Sequence, residues 1–169
     1  MIQKKVCMVG LFGTGKTSLV QQFVHSLFSE RYLSTVGVKI DRKPMEVDGV
    51  ALTLVLWDLA GRDGHEDITT SYLRGAHGVL YVADGTRRET CDQLPELRAL
   101  VREAAGEVPE LLALNKSDLK DRWQLGDADE RTLAGAWDVV RTSAKTGEGV
   151  EQIFQRIGRA MLGPKEARP

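Results

Sequence analysis

The fold is decided by Gly10-Leu11-Phe12-Gly13-Thr14-Gly15-Lys16-Thr17, a stretch with the spacing G-x-x-x-x-G-K-T. The apolar run 6–9 precedes it and predicts a strand, and apolar residues recur at helical spacing after it. Strand, glycine-rich turn and helix are the context in which this pattern binds phosphate. We therefore predict a phosphate-binding loop rather than a chance glycine-rich turn.

The residue types of this loop suit a chain of phosphates and a metal ion. Glycines let the backbone curl so that N–H groups point inward, and the following helix adds its partial positive N-terminus. Lys16 brings a full charge toward the β- and γ-phosphates, and Thr17 offers a hydroxyl to Mg²⁺. The predicted nucleotide-binding residues here are Gly10, Phe12, Gly13, Thr14, Gly15, Lys16, Thr17 and Ser18.

Composition and charge narrow the function classes. The 169 residues fit one domain, and a formal net charge of -1 gives no field that would attract nucleic acid or anionic lipid. No apolar run is long enough to cross a membrane. Cys7 and Cys91 do not make a disulfide framework, so we expect buried thiols in a reducing cytoplasm. Residues 163–169 contain no cysteine to lipidate, so no direct membrane anchor is expected.

Strands and helices alternate along the chain, which predicts an α/β fold with a largely parallel sheet covered on both faces. Predicted strands occupy 2–9, 38–47, 51–57, 78–83, 110–114 and 137–140, and predicted helices occupy 16–27, part of 90–105, 127–134 and 150–161. Segments 28–37 and 59–69 are predicted loops. Asp48-Gly49 predicts a hairpin, and hence one antiparallel edge strand. Pro95 either opens or kinks its helix.

A second motif, Asp58-Leu59-Ala60-Gly61, follows a predicted strand at the edge where such sheets bind ligands. The Asp58 carboxylate can hold Mg²⁺ directly or through water. Gly61 has no side chain to keep its N–H away from a γ-phosphate. Alone this is a common acidic turn, but beside the phosphate loop it predicts a magnesium site.

A third motif, Asn115-Lys116-Ser117-Asp118, predicts a guanine site, with a simple polar turn as the alternative. The Asp118 carboxylate can accept hydrogen bonds from guanine N1–H and its exocyclic amine, whereas adenine offers a lone pair there; such sites discriminate by about 10⁴-fold. Asn115 would support the base and its loop, and the Lys116 stem would lie along the base plane. Ser143-Ala144-Lys145 follows the last strand, and the Ala144 N–H would reach guanine O6.

Taken in order, these motifs resemble those of Ras-superfamily small GTPases, and the chain is most similar to the Rab branch. Further matching stretches are Thr35-Val36-Gly37-Val38 and Ser71-Tyr72-Leu73-Arg74-Gly75-Ala76-His77-Gly78. The resemblance implies a P-loop NTPase fold of six mostly parallel strands flanked by five helices. It assigns 1–163 to the GTPase domain and 164–169 to a short tail. It also implies a cytoplasmic signalling switch that binds GTP or GDP with Mg²⁺ and hydrolyses GTP through loops that order around the γ-phosphate.

The resemblance also implies roles for individual residues. Thr35 is the switch threonine, which contacts Mg²⁺ and senses the γ-phosphate, and Phe28 lies beside the guanine. Protein effectors and regulators read Tyr32–Ile40 and Asp58–Arg74. The implied catalytic set is Lys16, Thr35, Gly61 and Arg62, and the implied metal ligands are Thr17, Thr35 and Asp58. An apolar triad that partners read falls at Ile40, Trp57 and Tyr72, although Rab proteins usually have Phe where Ile40 stands.

The chain departs from the family where hydrolysis is controlled. Arg62 occupies the position of the water-orienting glutamine, and a guanidinium only donates hydrogen bonds, so it cannot accept a proton from the attacking water. Arg62 either stabilises charge as an arginine finger does, or is a solvated surface residue; His65 is another candidate for holding the water. Phe12, at a position where the Ras branch keeps glycine, would crowd an activator's arginine.

These departures predict slow intrinsic GTP hydrolysis. The alternative is a GTP-locked binding module with negligible hydrolysis, and a P-loop kinase or ATPase conflicts with the guanine motif. Without a lipidated tail, the chain is interpreted either as a soluble relative with a prokaryotic source or as a domain excised from a larger protein.

Overall fold

The computed structural model describes residues 2–29, 37–60 and 70–166. Its six-stranded sheet has the order β2-β3-β1-β4-β5-β6. The strands are β1 Ile2–Val9, β2 Val38–Val47, β3 Val50–Leu59, β4 Gly78–Asp84, β5 Glu110–Asn115 and β6 Val139–Arg141. β2 pairs with β3 in antiparallel fashion, and the other neighbours are parallel. The predicted fold class is confirmed.

Within the described ranges, five α-helices flank the sheet. They are α1 Lys16–His25, α2 Arg88–Asp92, α3 Leu94–Ala105, α4 Asp127–Ala136 and α5 Val150–Glu166, with short 3₁₀ helices at Thr70–Leu73 and Lys120–Arg122. Pro95 lies in the first turn of α3, so it opens that helix and does not kink it. The backbone of Gly163 is not helical, with φ of 71°, so the final turns of α5 follow a kink.

Several predicted boundaries were wrong, and two of them have clear local reasons. α1 ends at His25, two residues before the predicted end, because Ser26 adopts a left-handed φ of 54° and its N–H caps the helix. Trp137, predicted to begin a strand, instead ends α4, donating its backbone N–H to the Leu133 carbonyl over 2.8 Å. The strand begins at Val139.

The hairpin between β2 and β3 has the predicted two-residue turn. Asp48 and Gly49 both have positive φ, 49° and 82°, and they join Val47 to its partner Val50. Positive φ at both turn positions is the type I′ geometry that suits the right-handed twist of the strands.

Two apolar clusters, one on each face of the sheet, hold the layers together. α1 and α5 cover the first, where the Phe23 and Phe154 rings stack with centroids 3.9 Å apart. α2 and α3 cover the second, which contains the free thiols of Cys7 and Cys91. Burial raises both thiol pKa values to about 11, so the thiols stay protonated at neutral pH. No helix in the described ranges combines the length and apolarity needed to cross a membrane.

Candidate functional site

The loop between β1 and α1 is shaped by glycines that have no room for a side chain. A Cβ on Gly10 would lie 2.3 Å from the Val82 carbonyl oxygen. A Cβ on Gly15, whose φ is +100°, would lie 2.3 Å from Asn115 Nδ2. Thr14 closes the turn by donating its hydroxyl to the Leu11 carbonyl over 3.0 Å. The backbone can therefore curl tightly, directly ahead of the α1 N-terminus.

Lys16 places a buried ammonium inside this loop. Its Nζ donates to the carbonyl oxygens of Gly10 and Leu11 at 3.3 and 3.0 Å, and the residue is 5% exposed. Burial lowers the pKa of Lys16 to about 8, and the charge of Asp58 opposes that shift. A desolvated ammonium whose hydrogen bonds in the described part of the chain go to neutral carbonyl groups has a strong electrostatic preference for an anion.

Thr17 and Asp58 meet beside the ammonium. The Thr17 hydroxyl donates to Asp58 Oδ2 over 2.6 Å, and Asp58 is fully buried. β3 runs to Leu59, so Asp58 lies inside the strand and not just after it as predicted. A hydroxyl and a carboxylate are oxygen donors of the kind Mg²⁺ takes, so this pair fits the predicted ion. No cluster of three or more His, Cys, Asp or Glu suited to a metal occurs in the described part of the chain.

A cavity of about 360 Å³ next to the phosphate loop is lined by the end of β5, the segments that follow β5 and β6, and residues at and near α1. Its lining includes these predicted residues: Gly15, Ser18, Phe28, Asn115, Lys116, Asp118, Ala144 and Lys145. Leu119 and Arg122 also line it and were not predicted. The sequence did offer a signal for these two residues, since both lie within four positions after the Asn115–Asp118 motif.

Hydrogen bonds fix the polar wall of the cavity. Asn115 Nδ2 donates to the Thr14 carbonyl over 2.9 Å, and Asn115 Oδ1 accepts from the Thr142 hydroxyl at 3.0 Å. The Ser143 hydroxyl donates to Asp118 Oδ1 over 2.8 Å. These contacts join the phosphate loop, the end of β5 and the segment after β6 into one rigid unit.

Lys116 crosses from this wall to the phosphate loop. Its Nζ donates to the Gly13 carbonyl at 3.0 Å and pairs with Asp84 Oδ2 at 2.9 Å. Asp84 is fully buried, and its other oxygen accepts from the backbone N–H and the hydroxyl of Thr86. Sequence reasoning missed Asp84, although a carboxylate at the end of an apolar strand was a usable signal.

The predicted partner-binding residues are partly described. Ile40 is paired with Trp57 across β2 and β3, and the Trp57 and Tyr72 rings have centroids 6.2 Å apart. Ile40 is 43% exposed, and Trp57 and Tyr72 are half-buried, so part of each apolar side chain is accessible at the surface. Thr35, Gly61, Arg62 and His65 lie outside the described residues. Phe12 accepts a hydrogen bond at its carbonyl from Arg87 Nη1, at 3.0 Å.

Comparisons with known proteins agree with this geometry. Residues 5–163 match the sequence model described as the Ras family. The Ras-related protein Rab-1 of Theileria annulata is 36% identical over 161 residues, which cover 93% of this chain and 73% of the relative. The Ras-related protein Rab-1 of Theileria parva is 34% identical over 161 residues, which again cover 93% of this chain and 73% of the relative. The predicted prokaryotic source has no support in these relatives.

Proposed function

Because the chain belongs to the Ras family, we propose that it is a guanine-nucleotide switch that binds GTP and GDP with Mg²⁺ and hydrolyses GTP slowly. The observation that carries the proposal is the cavity in which Asp118 and Ala144 face the same space beside the phosphate loop. In this proposal the Asp118 carboxylate would meet the N1 edge of guanine, and the Ala144 backbone N–H would meet O6.

Base selection follows from how Asp118 is held. The Ser143 hydroxyl occupies one carboxylate oxygen and fixes its direction, so the group is oriented before a base arrives. Guanine has two donors on this edge, and adenine lacks the ring donor. A buried or oriented carboxylate that finds no donor loses free energy, so adenine nucleotides are disfavoured.

The phosphate chain extends from this cavity over the loop to Lys16. When phosphate oxygens replace the Gly10 and Leu11 carbonyls, the ammonium gains a full opposite charge. Thr17 and Asp58 would hold Mg²⁺, which supplies further charge neutralisation at the β- and γ-phosphates. Thr35 and Gly61 are proposed to sense the γ-phosphate from the two switch segments.

Hydrolysis without a partner is proposed to be slow because Arg62 replaces the residue that orients water. A guanidinium has five donors and no acceptor, so the attacking water has no proton acceptor at that position. An arginine finger supplied by a partner raises family rates by about 10⁵-fold, and Phe12 would restrict its approach. Protein effectors and regulators are proposed to read Tyr32–Ile40 and Asp58–Arg74, in the cytoplasm.

Competitive binding tests the nucleotide site. The purified chain with Mg²⁺ is expected to retain GDP and GTP. An excess of guanine nucleotide should displace them, and an excess of ATP should not. Asp118→Ala should remove the preference for guanine, and Lys16→Ala should weaken all nucleotides regardless of base. Equal competition by ATP and GTP in the unaltered chain would contradict the proposal.

A second candidate function, a GTP-locked binding module, is favoured only by Arg62 and Phe12. Overnight incubation with GTP followed by chromatography of the nucleotide separates the two functions, since persistent GTP indicates the module. A pull-down with GDP-loaded and GTP-analogue-loaded chain then tests switching. Capture of the same partners in both states would remove the switch from the proposal while leaving nucleotide binding in place.

A further inference from the structure

Three consecutive carbonyl oxygens of the phosphate loop are each bound by a side chain from elsewhere in the fold. The three hydrogen bonds run from Arg87 Nη1 to Phe12 at 3.0 Å, from Lys116 Nζ to Gly13 at 3.0 Å and from Asn115 Nδ2 to Thr14 at 2.9 Å. Lys116 and Asn115 belong to the predicted guanine motif, whereas Arg87 is the N-cap residue of α2. The phosphate loop therefore has a third support that the nucleotide motifs do not include.

The hydrogen bond from Arg87 acts on a peptide group that glycine leaves easy to rotate. The φ of Gly13 is 78°, and glycine adopts both signs of φ at little cost, so the local chain does little to fix the peptide between Phe12 and Gly13. In a planar trans peptide the C=O and the N–H point in opposite directions. A donor that holds the Phe12 carbonyl therefore also fixes the direction of the Gly13 N–H, which points to the other side.

Arg87 is itself held at the corner between β4 and α2. Its backbone N–H donates to the Asp84 carbonyl over 2.9 Å, and its carbonyl accepts from the Thr90 hydroxyl at 2.8 Å. The Arg87 Nε also donates to Glu89 Oε1 over 3.2 Å, which restrains the plane of the guanidinium. Because the Asp84 side chain pairs with Lys116, the same corner positions two of the three donors to the phosphate loop.

We propose that Arg87 is a positioning residue that holds the Phe12 carbonyl so that the Gly13 N–H faces the bound phosphates, and that it thereby slows nucleotide release. The inference rests on the proposed function, since it needs a nucleotide whose phosphates lie in the loop. Arg87 acts through the loop backbone, whereas Asp118 reads the edge of the base. Loss of Arg87 should therefore speed the release of nucleotides with the same phosphates by the same factor, whichever purine they carry.

Nucleotide release by the full chain with Mg²⁺ tests this role. Radiolabelled GDP and inosine diphosphate, whose base lacks the exocyclic amine, are chased with excess unlabelled GDP and trapped on filters. Arg87→Met keeps an apolar stem but removes the donors, so it is expected to release both nucleotides roughly two- to tenfold faster, the range for one partly exposed hydrogen bond. Arg88→Met removes the same charge from the next residue, whose guanidinium binds Asp129, and should leave release unchanged.

NMR chemical shifts of the GDP-loaded chain report the hydrogen bond directly. In Arg87→Met the carbonyl carbon of Phe12 and the amide nitrogen of Gly13 should both shift, because they belong to the one peptide group that loses its donor. In Arg88→Met both resonances should keep their positions. This pair of signals separates an effect on the phosphate loop from a general loss of stability.

Several results would overturn this role of Arg87. Unchanged release from Arg87→Met removes it, and equal acceleration in Arg88→Met means that charge alone suffices. Faster release without the two NMR changes would mean that Arg87 does not act through the Phe12 carbonyl, and acceleration confined to GDP would mean that it acts at the base. If the unaltered chain retains no GDP, the guanine site itself fails and the effect on release fails with it, whereas retained GDP with unchanged release from Arg87→Met excludes the Arg87 role alone.

Discussion

Asn115 donates a hydrogen bond of 2.9 Å from Nδ2 to the carbonyl oxygen of Thr14, a residue 101 positions earlier in the chain. The same amide accepts from the Thr142 hydroxyl at 3.0 Å. Asn115→Ala leaves both partners unsatisfied in a buried place. We expect a loss of about 1–3 kcal/mol in the free energy of unfolding, measured in urea. We also expect at least about tenfold faster GDP release, because the phosphate loop loses its tie to the base wall.

Two nearly isosteric variants separate the ends of this link. Asn115→Asp keeps an acceptor for Thr142 but has no donor for the Thr14 carbonyl, so GDP release should accelerate. Thr142→Val removes only the hydroxyl that donates to Asn115 Oδ1 and leaves the bond to the Thr14 carbonyl in place. It should therefore lower the free energy of unfolding, with a smaller effect on GDP release. Equal acceleration by both variants would mean that the tie to the phosphate loop has no special importance.

Arg62 allows a prediction about chemistry. The unaltered chain should hydrolyse bound GTP at or below about 10⁻⁴ per second in a single-turnover assay, the order of magnitude of the unassisted rate of Ras. Arg62→Gln restores a side chain whose carbonyl oxygen accepts a hydrogen bond from the attacking water, so hydrolysis should be faster. Arg62→Ala should leave the rate unchanged if Arg62 is only solvated.

A rate near 10⁻¹ per second, roughly a thousandfold above that reference, would contradict slow hydrolysis by the chain alone. In that case Arg62→Ala and His65→Ala identify the responsible group, since each removes one candidate while leaving the phosphate loop intact. A drop confined to one variant would assign the chemistry to that residue.

The parts of the fold that the sequence predicts are those set by local pattern. Alternating strands and helices, the Asp48-Gly49 turn and the glycine spacing of the loop all depend on neighbours in sequence. Trp137 shows where such reasoning fails, because the apolar run that begins with it predicts a strand over 137–140. Here the indole instead packs against Tyr81, with ring centroids 4.6 Å apart, while its backbone closes a helix.

The unpredicted part of the site depends on long side chains that meet across the sheet edge. Asp84 reaches Lys116 from the end of the neighbouring strand β4, and Thr142 reaches Asn115 from the segment just after β6. Neither pair has a fixed spacing in sequence. Arg122 was missed because its place on the cavity wall depends on two consecutive turns and on Trp123 filling the space above Gly85.

The Arg88–Asp129 pair predicts a pH dependence. Hydrogen bonds from the Arg88 guanidinium, and then from the Gly126 backbone N–H, lower the pKa of Asp129 to about 2 from its usual 3.8. A carboxyl with a depressed folded-state pKa stabilises the protein above its unfolded value, and this contribution is lost as pH falls toward 2. The stability difference between the unaltered chain and Asp129→Asn should therefore be full at neutral pH and shrink below pH of about 4.

Titration of the Asp129 carboxyl by NMR checks the cause directly. Arg88→Ala should raise the Asp129 pKa only part of the way to 3.8, since Gly126 still donates its N–H over 2.9 Å. An unchanged pKa in Arg88→Ala would mean that Arg88 does not hold this carboxylate in solution.

Gly85 and Gly135 predict opposite effects of the same substitution. At Gly85 a Cβ would lie 2.1 Å from the Trp123 ring, so Gly85→Ala should lower the free energy of unfolding by about 1–3 kcal/mol through overpacking. At Gly135, inside α4, an added Cβ would have no neighbouring atom within 4 Å. Gly135→Ala should therefore raise the free energy of unfolding by about 0.5–1 kcal/mol. Urea unfolding measures both.

Trp123→Leu should recover part of the loss in Gly85→Ala, because the leucine side chain leaves room for the methyl group. Additive losses in that double variant would mean that Trp123 does not press on Gly85.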